Sequence, residues 1–184
     1  DLTCGFRLRG NSTRKYPKKP FAIKLADKAN LLDIMPSGSH KRWCLLANWG
    51  DHSMMRNALT FAAANRTIDA WKNAGIDPGL IWNPSGKNVE LVIDGVHVGN
   101  YLLCEQIKID GGRLDIADPY DKDDAYSGNP ADYGYLLECD DAYDETVKFI
   151  TKTYVPLMFK DDADGSGDML AYAKGIVNGI DDNL

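Results

Sequence analysis

The stretch VELVIDGVHVGNYLLCE, residues 89–105, limits what this chain can fold into more than any other segment. Two apolar, β-branched runs flank Asp94-Gly95, a dipeptide suited to the positive φ angles of a two-residue type I′ turn. An antiparallel hairpin is therefore predicted. Residues 4–9 set Phe6 and Leu8 against Arg7 and Arg9 in strand alternation, and FAIKL (21–25) reads as a second strand returning after a polar loop that runs to Pro20. A connection with Pro36 and Gly38 leads to KRWCLLANW, dense enough in apolar residues for a buried strand. GYLLEC (134–139) is a further strand, and KFITKTYVPLMFK adds one or two more, broken by Pro156.

Two helices interrupt this pattern. Asp51 or Ser53 can cap a helix over 52–65, where Met54, Met55, Ala58, Leu59, Phe61 and Ala62 recur at helical spacing. A terminal run with Met169, Leu170, Tyr172, Ile176, Val177 and Ile180 is amphipathic. Strands, one early helix, more strands and a last helix predict an α+β fold with a mostly antiparallel sheet and few helices. With 44% hydrophobic and 26% charged residues, the 184 residues read as a single domain, 1–184. Apolar runs such as LLANW and YLLC fall far short of the roughly 20 residues of a bilayer span. Asp1 begins a few residues before a strand and DDNL follows straight after an amphipathic run, so both ends read as cut.

Charge is distributed unevenly. Residues 1–50 hold ten basic and three acidic residues, residues 51–104 four and five, and residues 105–184 seven and nineteen, for a net charge of -6. The most basic segment is RGNSTRKYPKKPFAIKL (9–25), with six cations and no acid. A glycine-bearing basic loop between two strands can aim backbone N–H groups and cations at a phosphate. A solvated basic hairpin gives the same composition, and the pattern is neither a Walker loop nor a dinucleotide fingerprint. Lys24 is a lone cation among apolar residues on a strand, so it either meets a carboxylate or bound anion or stands at an edge facing water. A strand lysine after a glycine-bearing hairpin is also how protein kinases hold the α- and β-phosphates.

Several ordered blocks carry a resemblance: RGNST, KYPKKPFAIKL, WCLLANWGDHSMMRN, VELVIDGVHVGNYLLCEQIKID with GRLDI, and GYLLECD. Together, over roughly residues 6–140, they resemble the spore-coat CotH kinase family. The resemblance implies a divergent protein-kinase-like N-terminal lobe that binds ATP with Mg, in an atypical kinase that phosphorylates secreted or coat proteins. It also implies an exported protein of the cell surface or spore coat. By position, Arg9, Gly10, Asn11 and Ser12 would lie near the nucleotide phosphates, with Lys15 as a helper and Lys24 as the catalytic strand lysine. Glu105 and Gln106 would lie near the adenine, or Glu105 would pair with Lys24. Glu138 is the competing partner, and each acid also reads as an exposed strand-end carboxylate.

Two departures follow. Helix 52–65 offers Arg56 and Asn57 where ordinary kinases carry a Glu for the strand lysine. The family's catalytic and metal-binding Asp belong to a segment downstream, so no metal ligand is assigned and the chain is expected to be nearly inert alone, needing the missing C-terminal part as partner. The alternative is a non-enzymatic surface or coat interaction module on the same fold.

The remaining signals are weaker. DDADGSGD (161–168) has the start of a calcium loop but Ala173 where a bidentate Glu is needed, so an Asp-rich turn is the plain reading, and DPYDKDDAY (118–126) reads as a solvated loop. His40, His52 and His97 lie beside no nucleophile pattern. The short basic stretch in an otherwise acidic chain argues against nucleic-acid binding. Cys4, Cys44, Cys104 and Cys139 stand singly in apolar segments, as buried thiols or as disulfide halves.

Overall fold

The structure, a computed structural model, describes residues 1–34, 38–79, 81–117, 126–140, 142–160 and 167–183. Two compact units divide the chain, Asp1–Asp115 and Ile116–Leu184, each with its own apolar cluster, where the sequence reads as one domain. The architecture is α+β with antiparallel sheets.

The first unit is built on a five-stranded sheet. Its strands are β1 (Cys4–Leu8), β2 (Phe21–Ala29), β3 (His40–Leu46), β4 (Gly86–Ile93) and β5 (Val96–Glu105), in the spatial order β1-β2-β3-β5-β4. The β4–β5 hairpin turns at Asp94 (φ 49°) and Gly95 (φ 78°), as the dipeptide predicts. Residues opposite one another in antiparallel strands share a face, so the register sorts the side chains. Ile23, Trp43 and Glu105 share one face with Phe21, Leu45 and Leu103. Leu25, Trp43, Leu45, Ala47, Tyr101 and Leu103 form the buried cluster there, with Trp43 fully buried. The opposite face carries the row Arg7, Ala22, Cys44, Cys104, Gly86 and, one step along, Gly5, Lys24 and Arg42.

Helix α1 packs on this second face, setting Ala58 and Phe61 against Cys44, Leu102 and Cys104. It spans Arg56–Asn73, starting four residues later and ending eight later than the predicted 52–65. The cap explains the late start. Asp51 accepts from the Ser53 hydroxyl (2.7 Å) and from the backbone N–H of Arg56 (2.9 Å), while Ser53 Oγ accepts from Met55 N (3.2 Å). Met54, at φ 55°, sits between them and cannot begin the helix. The helix ends where Gly75 turns left-handed (φ 71°) and Ile76 N–H reaches back to the Trp71 carbonyl at 2.9 Å, a Schellman stop. The longer helix includes Asp69, which is exposed and, among the described residues, has no ion pair.

In the second unit β6 (Leu137–Glu138), β7 (Lys148–Ile150) and β8 (Pro156–Phe159) form a sheet in the order β6-β8-β7. The expected strand 134–139 shrinks to two residues. Gly134 is pinned instead, its N–H on the Ala117 carbonyl (2.9 Å), with no room for a Cβ beside Ile116. Helix α2 (Gly167–Asp181) buries Met169 and Ala173, and Leu170 and Val177 help cover Phe149 and Phe159. No helix among the described residues is long and apolar enough to cross a membrane. Most of the calcium-like run 161–168 and of the loop 118–126 lies outside the described residues.

Candidate functional site

The alternation of β1 and the pairing of β1, β2 and β3 gather Arg7, Lys24 and Arg42 on one face of the sheet. With Gln106, just past β5, they line a cavity of about 390 Å³ in which the small residues Gly5 and Ala22 leave room. All three cations are exposed, and none has an ion pair among the described residues. Three positive charges in one concavity without a carboxylate repel one another and favour an anion. Among the described residues Lys24 therefore meets no carboxylate. It stands on a strand flanked on both sides, so the edge-strand reading does not describe it either.

A second cavity, about 270 Å³, lies where the 9–20 loop meets the end of β3. Arg9, Thr13 and Lys18 line it together with Asn48, Asp51 and Asn57. Arg9 follows Arg7 by two residues and extends the strand pairing, its N–H donating to the Pro20 carbonyl at 3.1 Å. The loop is folded down. Tyr101 Oη donates to the Lys19 carbonyl at 3.0 Å, Lys18 Nζ lies 4.5 Å above the Tyr101 ring and bonds the Asn100 carbonyl, and burial lowers the Lys18 pKa from its ordinary value. Gly10 makes this turn at φ 86°, and a Cβ there would fall 2.1 Å from Thr13 Oγ1.

The basic loop thus borders the second cavity through Arg9 and Lys18, not the one that Lys24 lines. Gly10, Asn11, Ser12 and Lys15 line neither cavity, and Ser12–Lys15 form an exposed 3-10 turn. Asp51 is the one acid lining the second cavity, and its carboxylate is occupied by Ser53 and the α1 N-terminus, which hold its pKa below the usual range.

Glu105 lies on the opposite face from Lys24 and does not pair with it. It is 3% exposed, accepts from Ser85 N–H at 2.8 Å and faces Arg113 Nε at 3.9 Å. Burial pushes its pKa up, against the Ser85 and Arg113 contacts that pull it down. Glu138 sits in β6, where Lys160 engages it. Sequence reasoning missed Arg7, Arg42, Lys18 and Arg113. The alternation that exposes Arg7 was visible, but the register that sets Arg42 beside Lys24 was not.

The family model described as CotH kinase protein matches residues 6–171. The chain belongs to that family. No curated protein and no solved structure matches it. Membership makes the function kinase-like and extends the likeness beyond residue 140, through the second unit and into α2. The cations suit the polyphosphate of a family kinase's nucleotide. A metal is less well served, because no group of three or more His, Cys, Asp or Glu gathers among the described residues and the Asp51 carboxylate is already occupied.

Proposed function

We propose that the first unit binds ATP on the cationic face of its sheet, with the polyphosphate over Arg7, Lys24 and Arg42 and reaching toward the second cavity, which the 9–20 loop borders through Arg9 and Lys18. The observation that carries this reading is the cavity in which three cations converge without an acid. Lys24 keeps the role of strand lysine, aligning phosphates as kinases do. Ala22, on the same face, leaves room beside it. Gln106 stands at the cavity rim on the segment after β5, within reach of a base. Magnesium would arrive with the nucleotide. Transfer of the γ-phosphate to a secreted or coat protein, by an exported kinase of the surface or spore coat, completes the proposal.

Calorimetric titration of the chain with ATP and magnesium tests binding. The expected result is saturable binding that Lys24→Ala with Arg42→Ala weakens about 100-fold, on the scale of losing two charge-assisted phosphate contacts. Binding absent from the wild type, or unmoved in the double variant, overturns it. Transfer of labelled phosphate to a coat-protein mixture tests the reaction itself.

A non-enzymatic interaction module is the second reading, favoured by Tyr172, Ile176 and Ile180, which α2 leaves exposed. Substituting Ile176 and Ile180 by Ser would then abolish partner capture and leave nucleotide titrations unaltered.

A further inference from the structure

We propose that Arg113 is a positioning residue for the cationic cavity: from inside the fold its guanidinium holds the backbone carbonyls of Arg42 and Gln106, two residues of the cavity wall, and so fixes the gap between them. The inference rests on the nucleotide reading above.

The β3–β5 ladder ends at Trp43 opposite Glu105. One more step would set Arg42 opposite Gln106, and there the backbone pairing stops. Arg113 bridges the gap, with Nη1 donating to the Gln106 carbonyl at 2.5 Å and Nη2 to the Arg42 carbonyl at 2.7 Å. Both acceptors belong to residues that line the cavity. The bridge is internal, since Arg113 is 2% exposed.

A tight turn delivers it. Arg113 N–H donates to the Asp110 carbonyl (2.8 Å) and Gly112 N–H to Asp110 Oδ1 (3.2 Å). A Cβ on Gly112 would lie 2.8 Å from the ring of buried His40, so glycine lets the turn close against it. Glu105 supplies the countercharge at 3.9 Å, but among the described residues its Oε1 and the Arg113 Nε have no hydrogen-bond partner. A buried ion pair left so incomplete is a poor source of stability, and apolar residues of similar volume usually do as well or better. What an apolar residue cannot supply is the planar fork, and lysine, a point charge, cannot supply it either. The position thus favours geometry over stability.

The test uses the wild type, Arg113→Lys, and the double variant Glu105→Gln with Arg113→Met, which removes both buried charges so that the fold survives. Thermal melts establish folding. Calorimetry with magnesium ATP and with inorganic triphosphate, together with amide hydrogen exchange at Gln106, then reads the role. Both variants should bind about tenfold more weakly, because a wall displaced by a fraction of an ångström misplaces Arg42. Exchange at Gln106 should quicken while exchange in the β4–β5 hairpin stays as it was. In the wild type, the guanidinium proton resonances of Arg113 should shift on saturation with ATP, a readout that needs no variant to fold. Folded variants that bind like the wild type, unchanged exchange at Gln106, or unmoved Arg113 resonances overturn the inference and leave the nucleotide reading standing. A wild type that binds neither ligand overturns both.

Discussion

The two faces of the five-stranded sheet use the same strands for different ends. On one, Trp43, Leu45, Tyr101 and Leu103 lie between 0% and 5% exposed and form the main core of the first unit. On the other, the residues one position along are Lys24, Arg42, Ala22, Cys44 and Cys104, a mixture of cations, small side chains and thiols. A period of two lets one strand serve both. In this unit the core side chains and the cations are separated by single-residue steps along the same strands.

The largest expected effect falls on the apolar face. Trp43→Ala empties a fully buried site and should cost about 3–5 kcal/mol, a large part of the stability of an ordinary domain. Lys24→Ala, exposed on the other face, should stay within about 0.5 kcal/mol while weakening nucleotide binding about tenfold. Chemical denaturation of both variants checks this. Comparable losses at the two positions would break the division between the faces.

A second, smaller effect lies within the cationic face. Cys44 and Cys104 stand opposite each other across β3 and β5, both buried and free. The Cys104 thiol donates toward Cys44 and lowers its pKa to about 7, against the opposing pull of burial and with help from the positive charge of Arg9 and Arg113. A depressed thiol pKa means that the folded chain holds fewer protons than the unfolded chain between pH of about 7 and 9, so stability should rise across that window and be lost as pH falls through it. Cys104→Ala should flatten the profile. Parallel denaturation curves for wild type and variant at the two ends of the window would show that no such coupling exists.

How much of this was legible follows from how local each signal is. The β4–β5 hairpin was readable because Asp94-Gly95 states its own turn geometry. The helix start was readable in kind but not in place, since Asp51 and Ser53 both cap, but from the turn before Arg56. For the site, the basic loop and Lys24 were visible as composition. The partners were not. Arg42 joins Lys24 through the β2–β3 register, a long-range pairing that no local pattern encodes. Glu105 could be seen as a strand-end carboxylate, but its countercharge, Arg113, reaches it only because the Asp110–Arg113 turn folds inward. The four cysteines looked alike in sequence, yet only Cys44 and Cys104 are buried, because only they lie on central strands.

Asp51 offers the smallest effect and the sharpest test of the comparison, because it belongs to both sides. Its carboxylate closes the N-terminus of α1, accepting from Arg56 N–H at 2.9 Å, and it also lines the cavity shared by Arg9 and Lys18. As a cap it stabilises, since an Asp here satisfies helix donors and suits the positive end of the helix dipole. As a negative charge beside two cations it opposes an anion. Asp51→Ala should therefore move the two readouts in opposite directions: a lower melting temperature and an affinity for ATP about twofold higher, the modest factor expected of a solvent-screened charge. Raising the salt concentration should shrink the second change and spare most of the first, because screening acts on charges facing an open cavity more than on the cap's hydrogen bonds. Weaker binding that tracks the fall in stability would mean that the cavity depends on the helix end, and that the cationic face is not separable from the fold at this point.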